Sequence, residues 1–143
     1  MSIMWANIGE SSPPTIVHPK LGLVATKLLC ILSASDALKG PIIDAAGITV
    51  ALSMYKAGPH RPNAASFTHT AMVALRNLSD RQVTTEVVII ALDLLMMHSS
   101  SDDAYLTCAG GILCNGTSNN SEIKTYLIQN SDIIEVIFTI VST

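Results

Sequence analysis

Charge is scarce in this chain: Asp, Glu, Lys and Arg make up 13% of its 143 residues, against 49% apolar residues. Aromatic rings are scarcer still, at 4%. The net charge of −3 with no basic run gives no electrostatic case for direct nucleic-acid binding. The longest apolar run, Val87 to Met97, contains Asp93 and falls short of the ~20 residues a helical membrane span needs, so membrane insertion is not expected. Met1 to Gly9 has neither a basic start nor an apolar core of signal-peptide length. A reducing cytosolic or nuclear compartment is therefore expected, with Cys30, Cys108 and Cys114 remaining thiols. Their odd number and the lack of a CxxC pair argue against a disulfide frame or a zinc site.

Enzymatic signatures are missing too. Gly110-Gly111 falls within a helical pattern with no strand before it, which is no phosphate-binding loop. Cys108 and Cys114 have no oxyanion-hole turn or base-orienting partner in a recognisable setting. The chain is expected not to be an enzyme, and no cofactor is implied. The N-x-S/T triplets at Asn77, Asn115 and Asn119 are read as chance, because two of them would sit on packed helices. What remains is a chain too apolar for a free-standing soluble domain of this size. It reads as an internal slice of a longer stack, with end faces uncovered.

What the sequence does have is a repeat. Phe67, Ala71, Ala74, Leu75 and Leu78 lie at i, i+4, i+7, i+8 and i+11, one stripe of an α-helix. The same stripe recurs 46 residues earlier as Leu21, Ala25, Leu28, Leu29 and Leu32. It recurs 38 residues later as Tyr105, Ala109, Ile112, Leu113 and, the one break, Gly116. A helix-sized unit returning at roughly 40 residues is the mark of an α-solenoid. Shorter apolar helices recur with it: Ile42, Ile43, Ile48 and Leu52 return 85 residues later as Leu127, Ile128, Ile133 and Ile137.

In chain order, residues 1–9 read as the tail of a helix and 10–19 as a loop, because Pro13-Pro14 forbids helical continuation. Lys20 to Ser33 is the first long helix. Ser35-Asp36 is a polar break suited to an N-cap. Leu38 to Ala45 makes a short helix with Pro41 in its first turn, and Gly47 supplies the bend into a helix over Ile48 to Lys56. GPHRPN at 58–63 is a loop, and Phe67 to Ser79 is the second long helix. The polar, β-branched segment after Asp80 does not support a short first helix, so this repeat is abridged to Glu86–Met97 and the third long helix. The SSSDD turn at 99–103 precedes that helix, and Asn119 to Ser121 caps a short helix over Glu122 to Gln129. A final helix starts at Asp132.

Short helix, bend, second helix, loop and long third helix is the outline of an armadillo repeat. ALRNLSD at Ala74–Asp80, SSDDAYLTCAGGILCNGTSNN at Ser100–Asn120 and KGPIIDAAG at Lys39–Gly47 resemble the central armadillo repeats of the β-catenin family. The likeness runs from about His18 to about Ile137, with the Pro-rich segment at 10–19 reading as an insertion. It implies an all-α, right-handed armadillo-repeat α-solenoid over residues 1–143, with about two full repeats and partial flanking ones. It also implies a non-enzymatic scaffold whose third helices line a groove for extended acidic partner segments. The partners so implied are cadherin cytoplasmic tails, TCF/LEF-type transcription factors, APC and axin, at cell–cell junctions and in the cytoplasm and nucleus.

A second stripe beside the core is placed to line that groove. It carries His69, Val73, Arg76 and Asn77, with Leu23, Lys27, Cys30 and Ile31 upstream and Thr107, Gly111, Cys114 and Asn115 downstream. Helices stacked about 8–10 Å apart meet an extended strand every three or so of its residues. A carboxamide such as Asn77 or Asn115 offers donor and acceptor together, so it can hold a peptide backbone whatever its side chains. The resemblance adds Arg76 and Lys124 as matches to basic residues that contact partner carboxylates, with Lys20 and Lys27 at matching basic positions; His69 completes the candidate set as a groove-rim residue. Cys30 stands where the family has a groove lysine, Val73 where it has a groove tryptophan, Gly110 where it has an alanine and Gly116 where it has a core leucine. An importin-α-like cargo adaptor for basic peptides is the alternative, disfavoured because the only Trp is Trp5, outside the third helices. A purely structural spacer is the other.

Overall fold

A computed structural model describes residues 19–60, 64–96, 103–118, 120–130 and 132–142. The helix tail read at 1–9, most of the loop at 10–19 and most of the turn at 99–103 lie outside those residues. All regular structure among the described residues is helical. It consists of α1 (Pro19–Ser33), α2 (Asp36–Asp44), α3 (Gly47–Ala57), a 3₁₀ turn (Gly58–His60), α4 (Ala64–Leu78), α5 (Thr85–Met96), α6 (Asp103–Ser118), α7 (Ser121–Asn130) and α8 (Ile133–Ser142). The apolar VVII run that could have passed for a strand lies within α5. The chain divides into two compact units, residues 1–81 and 82–143.

In the first unit α4 packs on both α1 and α3, and its stripe supplies the core: Phe67, Ala71, Ala74, Leu75 and Leu78 are all buried. A leucine or phenylalanine side chain contributes roughly 1.5–3 kcal/mol when fully buried, and an alanine methyl correspondingly less. On α1 the same register buries Ala25 and Leu29 but leaves Leu21 and Leu28 exposed. In the second unit α6 packs on α5, burying Ala109, Ile112 and Leu113 against a face that includes Val87, Val88, Ala91 and Leu95. The abridged repeat is present as read: after α4, residues 79–84 form a turn and an irregular connection, and α5 follows directly.

Three local details differ from the sequence reading. Helix α2 begins at Asp36, not Leu38, so Pro41 falls beyond its first turn. The N–H that Pro41 lacks would have met the carbonyl of Ala37, an exposed residue whose carbonyl water can serve. Ser35 stands at the N-cap with extended backbone (φ −89°, ψ 119°), yet its side chain makes no capping bond. The corner between α2 and α3 is turned by Ala46, at φ 65° and ψ 30°, not by Gly47. Gly47 instead lets the first turn of α3 lie against the backbone of Ile42.

The missing leucine at Gly116 also has a resolution. No described glycine has positive φ, and α6 continues past Gly116 to Ser118, so Gly116 is not a helix-ending cap. A Cβ there would stand 3.3 Å from both methyl carbons of Val83. Val83, from the connection before α5, occupies the room a side chain at 116 would need. At the start of α7, Asn120 is the cap that matters: its Oδ1 accepts hydrogen bonds from the N–H groups of Glu122 (3.0 Å) and Ile123 (3.2 Å).

One ion pair ties the first unit together. Lys39, 8% exposed on α2, donates through Nζ to Asp80 Oδ2 at 2.8 Å and lies 3.2 Å from Asp36 Oδ1. The hydrogen bond that Lys39 donates to Asp80 raises the Lys39 pKa above its ordinary value, burial opposes this, and Asp36 adds to it. A raised folded-state pKa means the pair's contribution is fully present below the unfolded value of 10.5 and lost as pH climbs through the folded one. Urea titrations on either side of pH 10.5 should therefore show wild type losing stability with rising pH more steeply than Lys39→Met. At neutral pH, Lys39→Met should cost only ~1 kcal/mol, because Asp36 and Asp80 can rehydrate and the methionine refills the volume.

No single helix among the described residues is long and apolar enough to cross a membrane. The pair formed by α2 and α3 with its 3₁₀ turn passes by length and composition, but bends by 83° and carries the buried Lys39.

Candidate functional site

Helices α1 and α4 lie against each other, and their second stripes meet at the C-terminal ends. The contact is polar. Asn77, half-buried near the end of α4, donates through Nδ2 to the Cys30 carbonyl (3.3 Å) and to Ser33 Oγ (3.2 Å) on α1. Ser33 is fully buried and itself donates to the Cys30 carbonyl at 2.8 Å. The amide nitrogen of Asn77 is thus committed to the neighbouring helix, and no hydrogen bond from a described residue reaches its Oδ1. The sequence suggested both halves of the carboxamide for a peptide; in the folded chain only the oxygen is left over.

Arg76 precedes it on the exposed side, in the last turn of α4, where a cation complements the helix's negative end. The Arg76 carbonyl accepts bonds from the Ser79 hydroxyl (2.6 Å) and N–H (3.1 Å), which close the helix and leave the guanidinium clear of the cap. His69, two turns earlier, is half-buried. Lys20 and Lys27 are exposed on α1. Among the described residues, Lys20, Lys27, Arg76 and Lys124 are in no ion pair.

Lys20, Lys27, His69, Arg76 and Asn77 therefore belong to one packed helix pair in the first unit. Asn115 and Lys124 belong to the second unit, exposed on α6 and α7. Every position of the second stripe, in all three long helices, is half-buried or exposed. Ser33 is the residue that sequence reasoning missed: as a small hydroxyl at a helix end it read as punctuation, and nothing in its spacing announced a bond from Asn77.

Helical repeats with a shared buried stripe and an open polar one beside it define an armadillo-type α-solenoid. Comparison with known proteins agrees. The chain is 34% identical to human junction plakoglobin over 144 residues, covering 96% of the chain. It is 34% identical to the mouse protein over 86% of the chain, and 32% identical to the Armadillo segment polarity protein of Drosophila melanogaster over 87%. It spans only 14–18% of the lengths of those relatives. No family model matches the chain, and no solved structure does. By these relatives and its fold, the chain belongs to the β-catenin family of armadillo-repeat proteins.

Proposed function

We propose that this chain is part of a non-enzymatic scaffold that holds extended, acidic segments of partner proteins along the open stripe of its long helices. The observation that carries this is the Arg76–Asn77 pair: consecutive residues that supply an exposed guanidinium and an amide oxygen that no described residue uses, on a helix end locked to its neighbour. A bidentate Arg–carboxylate contact and a backbone N–H accepted by Asn77 would recognise an acidic strand without a catalytic group. Lys20, Lys27 and His69 extend the same helix pair's surface, and Asn115 and Lys124 place a carboxamide and an ammonium group at exposed positions in the second unit. Kinship with plakoglobin and Armadillo supports a role in cell adhesion and Wnt-type signalling. Cadherin tails, TCF/LEF-type factors, APC and axin are the partner classes, at junctions and in the cytoplasm and nucleus.

Calorimetric titration of the 143-residue chain with an acidic cadherin-tail peptide and with a Lys-rich peptide tests this reading. The acidic peptide should bind, and Arg76→Glu should weaken it about tenfold at low salt and less at high salt, because screening reduces exposed charge interactions. Preference for the Lys-rich peptide would instead support the importin-like alternative. Binding of neither would leave the chain a structural spacer.

A further inference from the structure

The carboxamide of Asn77 is gripped from one side by groups that only accept. Cys30 and Ser33 lie in the last turn of α1, where carbonyls have no α-helical partner of their own. The Cys30 carbonyl takes the hydrogen of the Ser33 hydroxyl at 2.8 Å. Ser33 is 0% exposed, so that hydrogen has no water to turn to, and the hydroxyl presents Asn77 with lone pairs alone. Carbonyl and hydroxyl then each take one of the two hydrogens on Asn77 Nδ2, at 3.3 and 3.2 Å.

A flipped carboxamide would fail against both neighbours. Its Oδ1 would stand against the Cys30 carbonyl oxygen, and Ser33 could donate to it only by abandoning Cys30. Which end of an exposed asparagine faces outward is normally open; here the network behind it decides. Ser33 itself is out of a partner's reach and acts through Asn77. We infer that Ser33 is a positioning residue for partner binding: it sets the polarity of the Asn77 site, so that a bound strand meets an acceptor there and no donor. The inference rests on the acidic-strand reading above and adds to it a choice of backbone N–H over backbone C=O. A group behind the binding side chain that locks its orientation is what makes such a contact selective. Ser33→Ala leaves Asn77 and Arg76 in place but deprives one Nδ2 hydrogen of its acceptor. The amide is then free to turn, and either end can face the partner.

Calorimetric titration with the acidic cadherin-tail peptide, one backbone N–H at a time replaced by an ester oxygen, reads that polarity. One ester should weaken binding to wild type by about three- to tenfold, more than its neighbours do. Ser33→Ala should still bind the parent peptide, with that penalty reduced to about twofold or less, and Asn77→Leu should abolish it. Each protein is compared with itself, so a general loss of stability leaves the ratio unchanged. In the peptide-free chain, NMR exchange of the Asn77 Nδ2 hydrogens with water should be slow for wild type and about tenfold faster for Ser33→Ala. A penalty that survives Ser33→Ala, a wild type that ranks all esters alike, or Nδ2 hydrogens that exchange freely in wild type would each overturn the inference and leave the acidic-strand reading standing. Failure of wild type to bind the parent peptide would overturn that reading itself, and the role of Ser33 with it.

Discussion

Gly47→Ala should destabilise the chain by ~3 kcal/mol or more, measured by urea denaturation, although alanine is the better helix former. The cause is a backbone approach. A Cβ on residue 47 would overlap the Cγ2 of Ile42 and stand 2.7 Å from its carbonyl oxygen and 3.1 Å from its carbonyl carbon. A side-chain tip can swing away; a carbonyl at the end of α2 cannot, because Ile43 and Pro41 beside it already accept the N–H groups of Ala46 and Ala45. The corner must open, and with it the packing of α3 on α4. The neighbouring change has the opposite sign. Ala46 is exposed and left-handed, a conformation that costs an L-residue about 1–2 kcal/mol. Ala46→Gly removes that cost and gives back part as unfolded-state entropy, for a net gain of ~0.5–1 kcal/mol.

Phe67→Ala should cost ~3–5 kcal/mol, the range for emptying an aromatic site that its surroundings refill only in part. Phe67 is 2% exposed near the start of α4, the helix that both α1 and α3 pack against. The chain's other phenylalanine is the control. Phe138 is 70% exposed on α8, so Phe138→Ala should shift the unfolding midpoint of dilute protein by no more than ~0.5 kcal/mol. Paired urea titrations at low concentration separate the two. Similar losses for both would mean that Phe138 is buried in the dilute protein.

These residues also show what could be read from the amino-acid order. The stripe from Phe67 to Leu78 was legible because burial on one side of a helix repeats with the helix, and all five positions are buried. The same register on α1 was only half right. Its sequence is apolar on more than one side, so periodicity alone cannot say which side packs, and Leu21 and Leu28 are exposed while Ala25 and Leu29 are not. The α2–α3 corner was located correctly but assigned to the wrong residue. Glycine at a bend suggests positive φ, whereas here close approach is what excludes a side chain.

Long-range partners were out of reach. Asp36 and Lys39 are visible as an i, i+3 pair, but nothing in the sequence pairs Lys39 with Asp80, 41 residues away on the far side of α4 in the chain. Gly116 looked like a lost leucine. Val83, in a connection with no pattern of its own, fills the space and lets the helix run on. For the candidate site, the residue types and the helices carrying them were legible, while the hydrogen bonds from Asn77 to Cys30 and Ser33 were not.

Those bonds narrow what a bound strand has to supply. With the Asn77 nitrogen anchored to α1, the side chain has only its oxygen to extend to a visitor, and an oxygen can be met only by a hydrogen. On the proposed binding face, a partner whose alignment sets proline opposite Asn77 arrives without that hydrogen and strands the oxygen. Acidic sequences with proline at that one place would be sorted from otherwise identical ones, by a discrimination that depends on no charge at all.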